Sequence, residues 1–110
     1  MNFKAGVKYN GVKIQTYYAI GIAEQIFRSH NHEMVVTSLM DGQHKEDSLH
    51  YRGLAFDCRT RDLPIADKAS IFTELKAILD NIGYDIVSES AHLHIEFDPK
   101  FGENWIIYTT

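Results

Sequence analysis

The chain is predicted to adopt an α+β fold, an antiparallel sheet with two helices packed on one face. Two segments, 17–29 and 66–82, repeat apolar residues at helical spacing. Four short apolar runs bounded by turn signals, 34–38, 54–59, 84–89 and 92–97, read as strands. The order helix, strand, strand, helix, strand, strand separates helices from an antiparallel sheet rather than alternating them around a parallel one.

At 110 residues the chain has the length of one domain, so residues 1–110 are taken as a single unit. A hydrophobic fraction of 45% and an aromatic fraction of 12% are enough to fill a core. The net charge of -4 provides no clustered Lys and Arg, which argues against nucleic-acid binding and against a basic membrane-docking patch. No apolar run approaches the roughly 20 residues that span a bilayer. Cys58 is the one cysteine, so no internal disulfide forms, and it reads as a small buried strand residue. The first ten residues lack the apolar stretch and cleavage site of a signal peptide, so synthesis in the cytoplasm without an export signal is expected.

The elements follow in order. Residues 1–15 are mixed, with Asn10-Gly11 as a turn. Thr16 reads as the N-cap of the first helix, whose core stripe is Ile20, Ala23, Ile26 and Phe27, edged by Ala19 and Ile22. His30 and His32, beyond its end, read as surface. After the strand over 34–38, a polar loop runs over 39–48. The strand over 54–59 is expected to be central. The second helix opens at Ala66 or Asp67 and carries Ile71, Phe72, Leu75, Ile78, Leu79 and Ile82 on its periodic positions, with Gly83 as its stop. The strands over 84–89 and 92–97 form a hairpin around Ser90-Ala91. Residues 104–108, with Trp105-Ile106-Ile107, read as a last edge strand.

Two stretches carry chemistry. One is Ser48-Leu49-His50-Tyr51-Arg52-Gly53-Leu54-Ala55-Phe56-Asp57; the other is Glu89-Ser90-Ala91-His92-Leu93-His94-Ile95-Glu96. A hydrolytic zinc takes three His, Asp or Glu ligands and keeps a fourth position for water, whose pKa falls from about 15.7 to about 7. His50 and Asp57 provide two donors, separated by a turn and the start of a strand. Gly53 allows the backbone to bend tightly there or to pass close to another segment. His92 and His94, two apart on a strand, point to one face, so both can reach one site. Glu89 lies just upstream, where a hairpin turn would fold it over the metal and let it move protons.

Ser48-x-His50-x-x-Gly53-x-Ala55-x-Asp57 followed by Glu89-x-x-His92-x-His94 resembles the zinc peptidase superfamily of D-alanyl-D-alanine carboxypeptidases and dipeptidases, phage endopeptidases, lysostaphin-type enzymes and the hedgehog signalling domain. The likeness runs over about 35–99 and is nearest to small single-domain phage and prophage peptidases; Gly42-Gln43-His44 and Ala91-His92-Leu93-His94 also resemble the hedgehog version. It implies a hedgehog/D-Ala-D-Ala-peptidase-like fold, a zinc cofactor, and His50, Asp57 and His94 as ligands, with His92 as the alternative third ligand. It implies Glu89 as the catalytic carboxylate and His92, where it is not the ligand, beside the metal to stabilise the transition state. Ser48, the loop residue His44 and an arginine, Arg52 or Arg59, are the substrate-binding candidates. Many relatives carry Ser-Gly-Tyr-Arg-Ser near the site; here the run is Ser38-Leu39-Met40-Asp41-Gly42, without arginine. The implied activity is hydrolysis of peptide bonds in peptidoglycan stem peptides, as carboxypeptidase or endopeptidase, reached through phage release or delivery in a phage particle. The alternative is a non-catalytic zinc-binding interaction module of the same fold.

Overall fold

The structure, a computed structural model, describes residues 1–41, 48–98 and 100. It is an α+β domain whose elements are β1 (Asn2–Phe3), α1 (Ile14–Ser29), β2 (Val35–Ser38), a 3-10 turn (Leu49–Arg52), β3 (Ala55–Arg59), α2 (Ile65–Leu79), a second 3-10 turn (Asp80–Ile82), β4 (Tyr84–Ser88) and β5 (His92–Phe97). The five strands lie in the order β1-β2-β3-β5-β4, so β3 is central. Every pairing among β2, β3, β5 and β4 is antiparallel. The sheet is nevertheless mixed, because β1 pairs parallel to β2 through Asn2↔Val35 and Phe3↔Val36. A two-residue strand has no period to read, which is why β1 escaped the sequence pattern.

Alternation along the strands separates two faces. Val36, Phe56, Cys58, Tyr84, Ile86, Leu93, Ile95 and Phe97 enter the core with Ala19, Ile20, Ala23, Ile26 and Phe27 of α1 and Ile71, Leu75 and Leu79 of α2. Phe27 and Phe56 are fully buried, and truncating such a side chain to alanine typically costs about 3–5 kcal/mol. The opposite face carries Asp57 on β3 and His92, His94 and Glu96 on β5. Among the described residues, no helix is long and apolar enough to cross a membrane.

Several boundaries differ from expectation. The first helix begins at Ile14, not after Thr16, and has no side-chain cap. Thr16 is instead buried inside the first turn, where its hydroxyl donates to the Gly53 carbonyl at 2.7 Å. The hydroxyl thus serves a tertiary bond rather than a free helical N–H. The second helix starts one residue early, at Ile65 directly after Pro64, and tightens into a 3-10 turn from Asp80 to Ile82 before the left-handed Gly83. On that helix Ile78 is 46% exposed, so the buried stripe is the narrower set Ile71, Leu75 and Leu79. His30 and His32 are half-buried and bridge the helices, His30 to Glu74 and His32 Nε2 to Asp67 Oδ2 at 2.7 Å. The expected strand over 104–108 lies outside the described residues.

Candidate metal centre

The site is built on the register of two central strands. Asp57 pairs directly with His94 across β3 and β5, while His92 pairs with Arg59. Directly opposed side chains stand about 4.5–5.5 Å apart at Cβ, so register alone brings the Asp57 carboxylate and the His94 ring together. Their atoms meet at 2.8 Å, His94 Nδ1 to Asp57 Oδ1.

His50 arrives from the 3-10 turn. Ser48 caps that turn, its Oγ accepting from the His50 N–H at 3.2 Å, and Gly53 ends it with φ 72°. Gly53 meets both expectations for it. It turns left-handed, and it passes so close to Gly11 that a Cβ would lie 2.0 Å from the Gly11 carbonyl oxygen. The Gly53 carbonyl in turn accepts from the Lys13 N–H at 2.9 Å, tying the turn to the start of α1. His50 is 1% exposed. Its Nδ1–H donates to the Leu39 carbonyl at 2.7 Å, which turns the Nε2 lone pair toward the sheet. Leu39 is itself held, its N–H donating to Asp41 Oδ1 at 3.0 Å. Burial alone would raise the Asp41 carboxyl; the N–H groups of Leu39 and Lys8 outweigh it and lower its pKa.

Donor atoms of His50, Asp57 and His94 all lie within 4.8 Å of one another. His50 Nε2 is 3.3 Å from His94 Nδ1 and 3.3 Å from Asp57 Oδ1. Tetrahedral zinc with bonds of about 2.0–2.1 Å has ligand-to-ligand edges of about 3.3–3.4 Å. Two of the three edges match that spacing, and the third, at 2.8 Å, is short by about half an ångström. The donor set therefore fits a zinc-sized ion with a small opening of the Asp57–His94 edge.

Without a metal, the group is held together as an ion pair between Asp57 and His94. Burial opposes the Asp57 charge, but the His50 and His94 rings beside it overcome that cost and hold the carboxyl well below its usual range. His94 is driven the other way: hydrogen bonding to Asp57, and secondarily to Glu96, raises it from 6.5 to about 9 against the cost of burial. Cys58, next to Asp57, points to the core, and its burial pushes the thiol up to about 12, so it offers no thiolate.

The remaining sequence candidates fall around this group. Glu89 Oε2 lies 3.3 Å from His92 Nε2, and the same nitrogen lies 3.8 Å from Asp57 Oδ2. The hairpin turn that carries Glu89 is pinned by the Thr60 N–H to the Ala91 carbonyl at 2.9 Å and by Lys68 Nζ to the Glu89 carbonyl at 2.6 Å. Arg52 ends the 3-10 turn as an exposed side chain, whereas Arg59, half-buried, shares the strand face of Asp57 and lies opposite His92. His44 lies outside the described residues. Sequence reasoning missed Glu96, whose Oε1 is 2.7 Å from His94 Nε2. The period of two that put His92 and His94 on one face extends to residue 96 and would have found it. It missed the Leu39 carbonyl altogether, since any residue offers that atom.

No known protein-family model matches the chain, and no curated protein does.

Proposed function

We propose that the chain is a zinc-dependent peptidase acting on peptidoglycan stem peptides. The observation that carries the metal reading is the convergence of His50 Nε2, Asp57 Oδ1 and His94 Nδ1 at near-tetrahedral spacing. The resemblance of the His50–Asp57 and Glu89–His94 segments to zinc peptidases of the D-Ala-D-Ala carboxypeptidase type supports the substrate class. His50, Asp57 and His94 hold the ion. When bound, zinc supplies Lewis acidity, acidifying a water and polarising a carbonyl.

The chain's own residues do the rest. Glu89 is half exposed and so open to solvent; it accepts the proton of the attacking water and returns it to the departing amine. His92, beside Glu89, donates a hydrogen bond to the carbonyl oxygen as negative charge builds there. Arg59, on the same sheet face, is the residue we assign to the peptide's carboxylate.

The test is zinc content together with digestion of purified peptidoglycan, for wild type, His50→Ala and Glu89→Gln. One zinc per wild-type chain is expected, with loss of zinc in His50→Ala and retained zinc without turnover in Glu89→Gln. Glu89 is exposed, so its variant folds and reads out chemistry even where His50→Ala does not fold. Stoichiometric zinc without cleavage by wild type would leave a zinc-binding interaction module. Wild type that takes up no zinc would overturn both readings.

A further inference from the structure

A histidine that binds a metal through one nitrogen must place the hydrogen on its other nitrogen, and the group that accepts this hydrogen sets which nitrogen faces the ion. His50 settles this with a backbone carbonyl, Leu39, at 2.7 Å from its Nδ1. His94 faces a contest. Its Nδ1 is 2.8 Å from Asp57 Oδ1, an acceptor that favours a hydrogen on Nδ1 and so blocks that atom as a ligand. On the other side of the ring Nε2 is 2.7 Å from Glu96 Oε1.

We propose that Glu96 is a positioning residue that holds His94 as an Nδ1 ligand by accepting the Nε2 hydrogen. The inference rests on the metal reading above. Glu96 sits two residues beyond His94 on the same face of β5, between Ala55 of β3 and Asp85 of β4. The small Ala55 side chain opposite leaves the carboxylate free to fold back along its own strand to the ring. As a carboxylate behind the ring, Glu96 would also add negative charge to that of Asp57 when an ion is bound. The two histidines thus present opposite ring nitrogens, Nε2 from His50 and Nδ1 from His94, each fixed by an acceptor behind it. Any side chain without an acceptor at residue 96 returns the His94 hydrogen to Asp57.

Zinc affinity measured against a chromophoric chelator, for wild type, Glu96→Gln and Glu96→Ala, tests this, together with long-range nitrogen–proton NMR correlations of the His94 ring. Wild type loaded with zinc is expected to show Nδ1 bound and Nε2 carrying hydrogen. Glu96→Ala is expected to bind zinc about 10–100-fold more weakly. In the metal-free, neutral-ring state the hydrogen moves from Nε2 in wild type to Nδ1 in Glu96→Ala, a change that a merely structural role would not produce. Glu96→Gln, nearly isosteric, keeps an acceptor oxygen but not the charge; it keeps the comparison readable if the alanine variant does not fold, and a loss of about tenfold is expected. Unchanged affinity in both variants, with wild type binding zinc, would overturn the role of Glu96 and leave the metal site standing. A wild type without zinc affinity would overturn both.

Discussion

Replacing Gly53 with alanine probes the joint that delivers His50 to the sheet. Gly53 has φ 72°, a left-handed conformation that costs a residue with a Cβ about 1–2 kcal/mol. Its new Cβ would sit 2.0 Å from the Gly11 carbonyl oxygen and 3.0 Å from Val12 Cα, both backbone atoms that cannot rotate away. Relieving such overpacking typically costs a further 1–3 kcal/mol or so. The expected loss is about 2–5 kcal/mol, a large share of the roughly 5–15 kcal/mol that holds a domain together. The segment that must move also carries the Lys13 and Thr16 bonds to the Gly53 carbonyl, at 2.9 and 2.7 Å, so the start of α1 moves with it. Because the Gly53 N–H donates to the His50 carbonyl at 3.0 Å, zinc affinity should fall along with stability. Urea denaturation in the presence of a chelator measures the loss. Gly6→Ala is the control: its φ is 89° with nothing within 4 Å of the added Cβ, so it bears the backbone cost alone. Equal losses in the two variants would refute the close approach of residues 11 and 53.

The metal-free protein should lose stability as pH rises. His94 is raised from 6.5 to about 9, so its contribution is complete below the unfolded value near 6.5 and disappears as pH climbs through about 9. At about 1.4 kcal/mol per pH unit the loss is about 3 kcal/mol, read by urea melts in chelator across that window; a His94→Gln variant with the same slope as wild type would contradict it. Asp57 acts in the opposite sense at acid pH: its depressed carboxyl stabilises the fold above the ordinary carboxylate range, and that stabilisation is lost as pH falls through its lowered value. Cys58, fully buried with its thiol raised to about 12, should resist iodoacetamide until the chain unfolds; rapid stoichiometric labelling of native protein would refute its placement in the core.

Much of this architecture could be read from local pattern. The two helices and the four longer strands each have a period, and a period needs only one buried face. Polar side-chain roles at element ends were harder to read. Thr16 looks like a helix cap in sequence, yet it lies within the helix and binds a carbonyl 37 residues away. The parallel β1 leaves no pattern at all, because two residues beside an established strand are placed by β2 and not by their own alternation.

For the candidate site, the sequence by itself determined the inventory of His50 and Asp57 at the spacing of a turn and a strand start, and of His92 and His94 on one face of a strand, with Glu96 added only by the structure. A period of two decides which face a side chain takes, and nothing more. Tertiary structure decided which of these atoms meet. The β3–β5 register sets His94, not His92, directly against Asp57. The closeness of Gly53 to Gly11 seats the 3-10 turn, and the Leu39 carbonyl orients the His50 ring. Register and ring orientation depend on hydrogen bonds between separate segments, 11 residues apart for His50 and Leu39 and 37 for Asp57 and His94, and the partners there are mostly backbone atoms that every residue type shares.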